Sequence, residues 1–541
     1  MFHFLRKHQG SEKQALFAVP TPDPFENPLV ETHPGQLRQW AASLPFANPQ
    51  QLAESVITSL GRLNRYPRQV KKRDELMEIY RTPSARITQT AAGKKATVPA
   101  ELNRRLMQEM ATGYLHIIND FIRTKSAGRK RNLLRDSIYH AVKFLTLEYL
   151  FACEMYDCRH SDTRRGLLRL HSFAEEQGLH REPVEDIEQT APAMATISHQ
   201  TKRTLLLFLL DPCHLQKGET RLAFDYLNDF ADAARFEPLA VITEPAGHYV
   251  IDRLGELAPH LYDPDSSETL TSPRFCLFNL IPISQQLHQH LRAIEKRSSD
   301  KPAALQQLTT KEVTNLIRRM LKSWHIRLER DSERHKTSGE TRIWMGLTSI
   351  HHYLTEKTAQ APSPHEEIEA IDVTQVAGDL GAHSAAPHPP LSGWRFNQSR
   401  SGVAVHLPLT SAGAHLVGEI VLITKPNTDR RTEWKIGIVR RALQQQDSLL
   451  EIGVQFINGR IVPLLIQPLN MELTEDQQPP THTAIYIDLG DVERSSMIAP
   501  RDALQVGMEY RVEEMVPAPI ISPVHLAEVT AMFERFRVKR I

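Results

Sequence analysis

The hydrophobic period of this chain changes once, near residue 334, and that change limits the folds open to it. From about Leu37 to Leu328 the apolar residues recur at helical spacing. The segment 102–122 sets Leu106, Met110, Tyr114, Ile117 and Phe121 on one face, and 131–157 does the same with Ile138, Val142, Leu145 and Tyr149. This is the i, i+3, i+4 pattern of an amphipathic helix. Further helices are expected at 49–63, 70–82, 162–177, 218–235, 280–297 and 311–328, with a short strand at 247–252 inside the same unit. Beyond Arg334 alternation takes over. Strands are expected at 340–347, 402–407, 418–423, 434–440 and 449–457, with a short helix at 348–354 and turn residues such as Pro426-Asn427 and Asn458-Gly459 between the later strands. Short strands at close spacing predict a small barrel. Residues 357–392 are rich in Ala, Pro, His and acids without a sustained apolar period, and read as a linker or mobile insertion. Near the end, 484–488, 510–513 and 533–541 are strand candidates, and the proline-rich stretch 517–523 is expected to break the chain.

The fold class that follows is multidomain α+β. A proline-marked leader at 1–35 precedes a mostly α-helical domain at 36–325. An antiparallel β-barrel domain at 326–470 carries the insertion at about 357–392, and a small β-rich extension fills 471–541. Length supports this, because 541 residues exceed one compact core and two to four domains are the prior.

Composition narrows the function. With 65 basic and 64 acidic side chains the chain is not built to bind a nucleic-acid polymer, although a local basic site remains open. The apolar run 205–210 is far short of the ~20 residues that span a bilayer, so membrane insertion is not expected. No secretory signal follows Met1, and Cys153, Cys158, Cys213 and Cys276 are too few and scattered for a disulfide framework. A cytoplasmic location is the expectation.

Two short motifs carry the chemistry. Arg330-Asp331-Ser332-Glu333-Arg334 is an RxxxR, and Asn397-Gln398-Ser399-Arg400-Ser401-Gly402 is an NxSxxG. The fork of an arginine matches the O6 and N7 acceptors of guanine bidentately, and its plane stacks on a purine face. Arg330 and Arg334, four apart, project the same way from either a helix or a strand. Asn397 offers an amide oxygen to guanine N–H donors. Ser399 is short enough to bond a base edge or a phosphate. Gly402 permits a positive φ and close approach of a ligand, and exposed N–H groups in such a turn favour anions. Arg400 is a possible extra contact.

The order of these motifs, followed by Gly437-Ile438-Val439-Arg440 and Glu451-Ile452-Gly453-Val454-Gln455-Phe456, resembles the PilZ domain, a bacterial β-barrel receptor for cyclic di-GMP. The resemblance covers roughly 328–468 in the C-terminal half. The helical half ahead of it loosely resembles that of uncharacterised PilZ-domain proteins. The resemblance implies that Arg330, Arg334, Asn397, Ser399 and Gly402 bind cyclic di-GMP, and that the chain is a receptor with no cofactor and no catalytic residue. In relatives with a further arginine directly before the RxxxR the ligand tends to be a stacked pair. Glu329 holds that place here, which points to one molecule per site. One departure stands out: 62 residues separate Arg334 from Asn397. Either a loop has been added to an intact barrel, or the two arginines belong to the end of the preceding helix, paired there with Glu329, Asp331 and Glu333.

Other candidates read as structure. Cys153, Cys158 and His160 fit no common zinc spacing, and helix packing is expected for the cysteines. His351-His352 reads as a polar turn, the basic stretch 125–131 as a solvated interhelical loop, and most of Trp324, Trp344, Trp394 and Trp434 as core. The expected function is a cyclic di-GMP effector. Its RxxxR arm orders on the ligand and reorients the helical domain toward an unidentified protein partner. The alternative is a PilZ-like scaffold or chaperone-like adaptor that has lost the ligand and acts only through protein contacts.

Overall fold

Residues 17–25, 30–67, 72–91, 98–124, 130–158, 161–186, 194–242, 245–264, 272–296, 301–325, 335–359, 388–409, 416–425, 433–445, 448–469, 479–491, 494–513 and 519–541 are described by the computed structural model. The chain divides into two units, Met1–Pro212 with Gly218–Leu328, and Glu329–Ile541 with the short segment Cys213–Lys217.

The first unit is helical. Its described helices are α1 (Pro34–Ala42), α2 (Pro49–Arg65), α3 (Arg73–Ala91), α4 (Ala100–Thr124), α5 (Arg131–Glu154), α6 (Ser161–Glu176), α7 (Ile197–Leu209), α8 (Glu219–Leu227), α9 (Ile281–Glu295) and α10 (Thr310–His325). The apolar faces expected on α4 and α5 are buried, from Leu106 to Phe121 and from Ile138 to Tyr149. The start of α2 is fixed locally. Pro49 takes the first helical position and the Asn48 side chain accepts from Gln51 N–H at 3.2 Å, which satisfies one of the orphan donors of a helix N-terminus. Helix α3 runs past 82, where the sequence suggested a stop, and continues through Pro83 to Ala91. The proline removes one ladder bond. Beside it the Ser84 hydroxyl donates to Tyr80 O at 2.8 Å, and Gly113 on α4 lets the two helices close so far that a Cβ there would lie 2.3 Å from Met77 Sδ. Residues on both sides of the proline are buried, Tyr80 before it and Ser84 and Ile87 after it, which holds the helix together across the break.

Two small sheets complete this unit. Strands β1 (Val184–Glu185) and β2 (Met194–Ala195) pair, and β3 (Arg235–Pro238), β4 (His248–Asp252), β5 (His260–Leu261) and β6 (Phe275–Asn279) form a sheet in the order β3-β6-β4-β5. The strand expected at 247–252 is β4.

The second unit holds two closed six-stranded barrels. The first comprises β7 (His335–Met345), β8 (Leu391–Gln398), β9 (Gly402–Pro408), β10 (Ile420–Lys425), β11 (Glu433–Gln444) and β12 (Leu449–Phe456), with helix α11 (Leu347–Ala359) following β7. Its strands run β7-β8-β9-β12-β11-β10 and back to β7. The second comprises β13 (Arg460–Pro468), β14 (His482–Asp488), β15 (Ser496–Pro500), β16 (Tyr510–Val512), β17 (Ile520–Val529) and β18 (Phe533–Arg540), ordered β13-β14-β15-β18-β17-β16 and back to β13. Counted from its own first strand, each barrel has the same connectivity. What the sequence suggested as a small extension from 471 is therefore a complete second barrel. It begins earlier, because β13 pairs with β14 and β16 and not with the first barrel. The expected break at 517–523 gives way to strand at β17, which passes through Pro523. The ladder with β18 shifts register at that residue, the kind of irregularity that admits a proline without a lost donor.

Each barrel has its own interior, and a further apolar layer joins them. Trp344, Ile420, Leu422, Ile436 and Ile438 of the first barrel pack with Ile350 and Leu354 of α11 and with Ile485, Ile487, Ile498 and Phe533 of the second. Strand β10 is thus buried on both faces, from Ile420 through Thr424, which explains its unbroken apolar run. The Arg440 guanidinium meets Glu528 at 2.5 Å, tying β11 to β17.

Buried histidines set the acid response of the helical unit. Burial lowers His140 and His171 to about 3, and His116 to about 4. These rings are neutral in the fold and would each take up a proton in the unfolded chain below pH 6.5. Their contribution to stability is therefore fully present above pH 6.5 and is lost as pH drops from there toward 3. Thermal unfolding at pH 7 and pH 4.5 is expected to show a clear fall in Tm, reduced in a His171→Phe variant.

Candidate functional site

The first barrel presents its NxSxxG segment as the turn between β8 and β9. Ser399 N–H donates to Gly402 O at 2.8 Å, and Phe456 N–H donates to Ser401 O at 2.8 Å, so the turn is pinned to β12. The Ser399 N–H is consequently engaged inside the turn and is not an open anion donor. Its hydroxyl is held loosely, 3.4 Å from Ser401 Oγ and 3.5 Å from Gly402 O, at the outer limit of hydrogen bonding, and is able to rotate toward a ligand.

Gly402 has a role other than the one its motif suggested. Its backbone does not lie in the left-handed region. A Cβ at this position would sit 2.4 Å from Val454 O, because β9 passes directly against β12, with Gly402 opposite Gln455. The glycine is required by strand packing, and no positive φ is involved.

Asn397 lies in register with Lys336 on β7 and Ala404 on β9. Its Oδ1 is buried and has no hydrogen-bond partner among the described residues, and neither has the neighbouring Arg395 Nε. Burial also lowers the Arg395 pKa from its ordinary value. Unsatisfied buried polar atoms are uncommon and costly in native folds. Arg395, opposite Val405 on the inner side, and Asn397, opposite Ala404 on the outward side, each leave a polar atom without its complement at this end of β8. The ladder is irregular at the same place. β8 shifts register between Arg395 and Asn397, and β7 between Lys336 and Gly339. Bulges of this kind re-aim side chains beside functional sites.

Arg330 and Arg334 lie outside the described residues, as do Glu329, Asp331 and Glu333. The landing point of the strand that follows them is described: His335 pairs with Gln398 and Lys336 with Asn397. The long gap between the two motifs therefore does not hold their ends apart. Helix α11 and the stretch 360–387, the latter outside the described residues, are inserted between two strands that remain hydrogen-bonded neighbours. Lys336 was missed in the sequence. It is exposed, and no ion pair involves it among the described residues. Only strand register could have revealed it.

The second barrel does not repeat this site. Its corresponding turn follows Asp488, whose carboxylate accepts from Gly490 N–H at 2.8 Å. Ahead of its first strand there is no arm, because Asn458-Gly459 turns β12 directly into β13.

Of the remaining candidates, Cys158 lies beyond the end of α5 and is half-buried, so helix packing holds for Cys153 alone, and His351-His352 belong to α11 and not to a turn. Cys153 is buried in α5, His160 is outside the described residues, and no group of metal-ligating side chains occurs among the described residues. In the basic stretch 125–131, residues 125–129 are outside the described residues. Arg131 is engaged by Glu182 at 2.6 Å and by the carbonyls of Gln177 and Gly178. Trp324 and Trp344 are core, whereas Trp394 and Trp434 are 46% and 39% exposed, contrary to the expectation for most of the four. No described helix is long and apolar enough to cross a membrane.

Substitution of Gly402 separates fold from binding. Gly402→Ala is expected to destabilise the barrel by about 1–3 kcal/mol through overpacking against β12, with or without nucleotide, measured as a fall in the denaturant midpoint.

Two protein-family models match the chain. Residues 35–240 match "Cyclic-di-GMP receptor FimW, N-terminal domain", and residues 258–370 match "Cyclic-di-GMP receptor FimW, middle PilZ domain". Together they span more than half of the chain. The PilZ match begins near the middle, ahead of the C-terminal half in which the motifs alone placed it. It includes the RxxxR stretch, β7 and α11, and ends before β8. No curated protein matches.

Proposed function

We propose that this chain, which belongs to the PilZ-domain family of cyclic-di-GMP receptors, binds cyclic di-GMP at the β7–β8 end of its first barrel and acts as a signalling effector without catalysing a reaction. The observation that carries this reading is the register of β7 on β8. It brings the strand that directly follows the RxxxR arm beside the NxSxxG turn. In this arrangement Arg330 and Arg334 grip a guanine and a phosphate, Asn397 Oδ1 accepts from a guanine N–H donor, and the loosely held Ser399 hydroxyl bonds a base edge or phosphate. Gly402 supports the site by letting β9 close on β12. A filled site would satisfy the orphaned amide oxygen, a gain made only in the bound state.

The arm also leads back along the sequence to α10. Ordering it on the ligand fixes the residues between α10 and β7. The helical unit then carries the response to a protein partner, in a cytoplasmic setting. Such a switch needs a ligand that favours one state over the other. A second reading has one observation in its favour. The second barrel shows that this chain already contains a closed barrel of the same connectivity with no arm, and a scaffold or adaptor working only through protein contacts would use both barrels in that way.

Calorimetric titration of cyclic di-GMP into the full chain decides between them. Binding at micromolar strength or tighter, about −8 kcal/mol, is expected, weakened at least tenfold by Arg334→Ala and by Ser399→Ala. Absence of binding, checked by a second method, would favour the scaffold. If the switch operates, saturating nucleotide should also slow hydrogen exchange across 326–334 and the end of α10. Unchanged exchange there would remove the proposed mechanism while leaving the receptor intact.

A further inference from the structure

The outer wall of the first barrel beside Asn397 carries an aromatic cluster that no motif requires. On β9, Val403, Val405 and Leu407 are buried inside the barrel, so the intervening His406 points outward by the alternation of a strand. Trp394 of β8 is its direct register partner and is 46% exposed. Phe396, the extra residue in the β8 bulge, lays its ring on that of His406 with centroids 4.1 Å apart and planes 14° apart. Trp394 thus lies in register beside a stacked ring pair on the outward face. Along β9 the next outward position is Ala404, the register partner of Asn397, two residues away and about 7 Å along the strand. Singly exposed apolar side chains are ordinary on a protein surface, and what distinguishes this one is its place one outward row from an amide oxygen that lacks a partner. No described aromatic ring packs against Trp394, whereas the other exposed tryptophan, Trp434, has Tyr353 against its ring at 6.3 Å.

We infer that Trp394, in register with His406 of the Phe396–His406 ring pair, is a stacking shelf for a purine base of the nucleotide held by Asn397. The inference rests on the receptor reading proposed above and adds a contact to it. An edge-on hydrogen bond from a guanine to Asn397 Oδ1 leaves the face of the base to be covered. A shelf one outward row away lies within the reach of a purine bound at that edge. Stacking is tolerant of base identity because every base has a π-face. The shelf therefore supplies affinity, and the hydrogen bonds supply the choice of guanine. Lys336, in register with Asn397 on its other side, places a cation where the phosphate of the same nucleotide leaves the base.

The test is titration of cyclic di-GMP into the full-length wild type, Trp394→Ala and Trp394→Phe, with tryptophan fluorescence followed in parallel. The exposed position makes Trp394→Ala compatible with folding, checked by its Tm. The expected result is binding roughly tenfold or more weaker in Trp394→Ala and largely restored in Trp394→Phe, which keeps a flat ring but loses the ligand-dependent fluorescence change of the wild type. Wild-type binding matched within twofold by Trp394→Ala would overturn the shelf and leave the receptor reading standing. Wild type without any binding would overturn both. Should Trp394→Ala fail to fold, the fluorescence comparison between wild type and Trp394→Phe decides, since an identical change in both places the ligand elsewhere.

Discussion

The hydrogen-bonded ladder between β7 and β8 is the constraint on which the second unit depends. It closes the first barrel, because β7 is also the neighbour of β10, and without it the sheet would have two open edges. It also brings together sequence segments that α11 and residues 360–387 separate. A barrel tolerates such an insertion at low thermodynamic cost, since loop-closure entropy grows only slowly with length. One bulge interrupts this ladder between Lys336 and Gly339, and another interrupts the adjoining β8–β9 ladder between Arg395 and Asn397. Pairing becomes irregular where Asn397 and Arg395 hold buried atoms without partners.

Much of this architecture was legible in the sequence wherever a local rule decided it. The buried faces of α4 and α5 follow from helical spacing, and β9 and β12 from alternation. The errors arise where a distant contact overrides a local signal. Pro83 reads as a helix end and Pro523 as a chain break. Neither is, because buried side chains on both sides of the proline in one case and a bulged ladder in the other hold the backbone through it. The second barrel was harder to see. Its strands at 484–488 and 510–513 were visible one by one, but alternation does not say which strand pairs with which, and closure is a property of pairing.

The site shows the same division. Asn397 and Ser399 could be named as candidates from their motif, and the structure sets one at the end of β8 and the other in the turn that follows it. Gly402 could also be named, but its physical role could not. A glycine at the head of a strand looks the same in sequence whether it supports an unusual φ or lets one strand pass another, and the approach of Val454 O distinguishes the two. Lys336, Trp394 and His406 belong to no motif. They acquire meaning through register, which sets a lysine beside Asn397 and a tryptophan beside a histidine.

The apolar layer between the barrels has a thermodynamic meaning that their topology hides. Seen as strand diagrams, the two barrels are separate objects joined by a tight turn. Seen as burial, Ile420, Leu422, Ile436 and Ile438 of one share a core with Ile485, Ile487, Ile498 and Phe533 of the other. Neither barrel can lose its structure without wetting part of its twin. The two barrels are therefore a pair by architecture, with the stability of each coupled to that of the other through the layer they share. The barrel without an arm earns its place as half of the hydrophobic support beneath the one that has it.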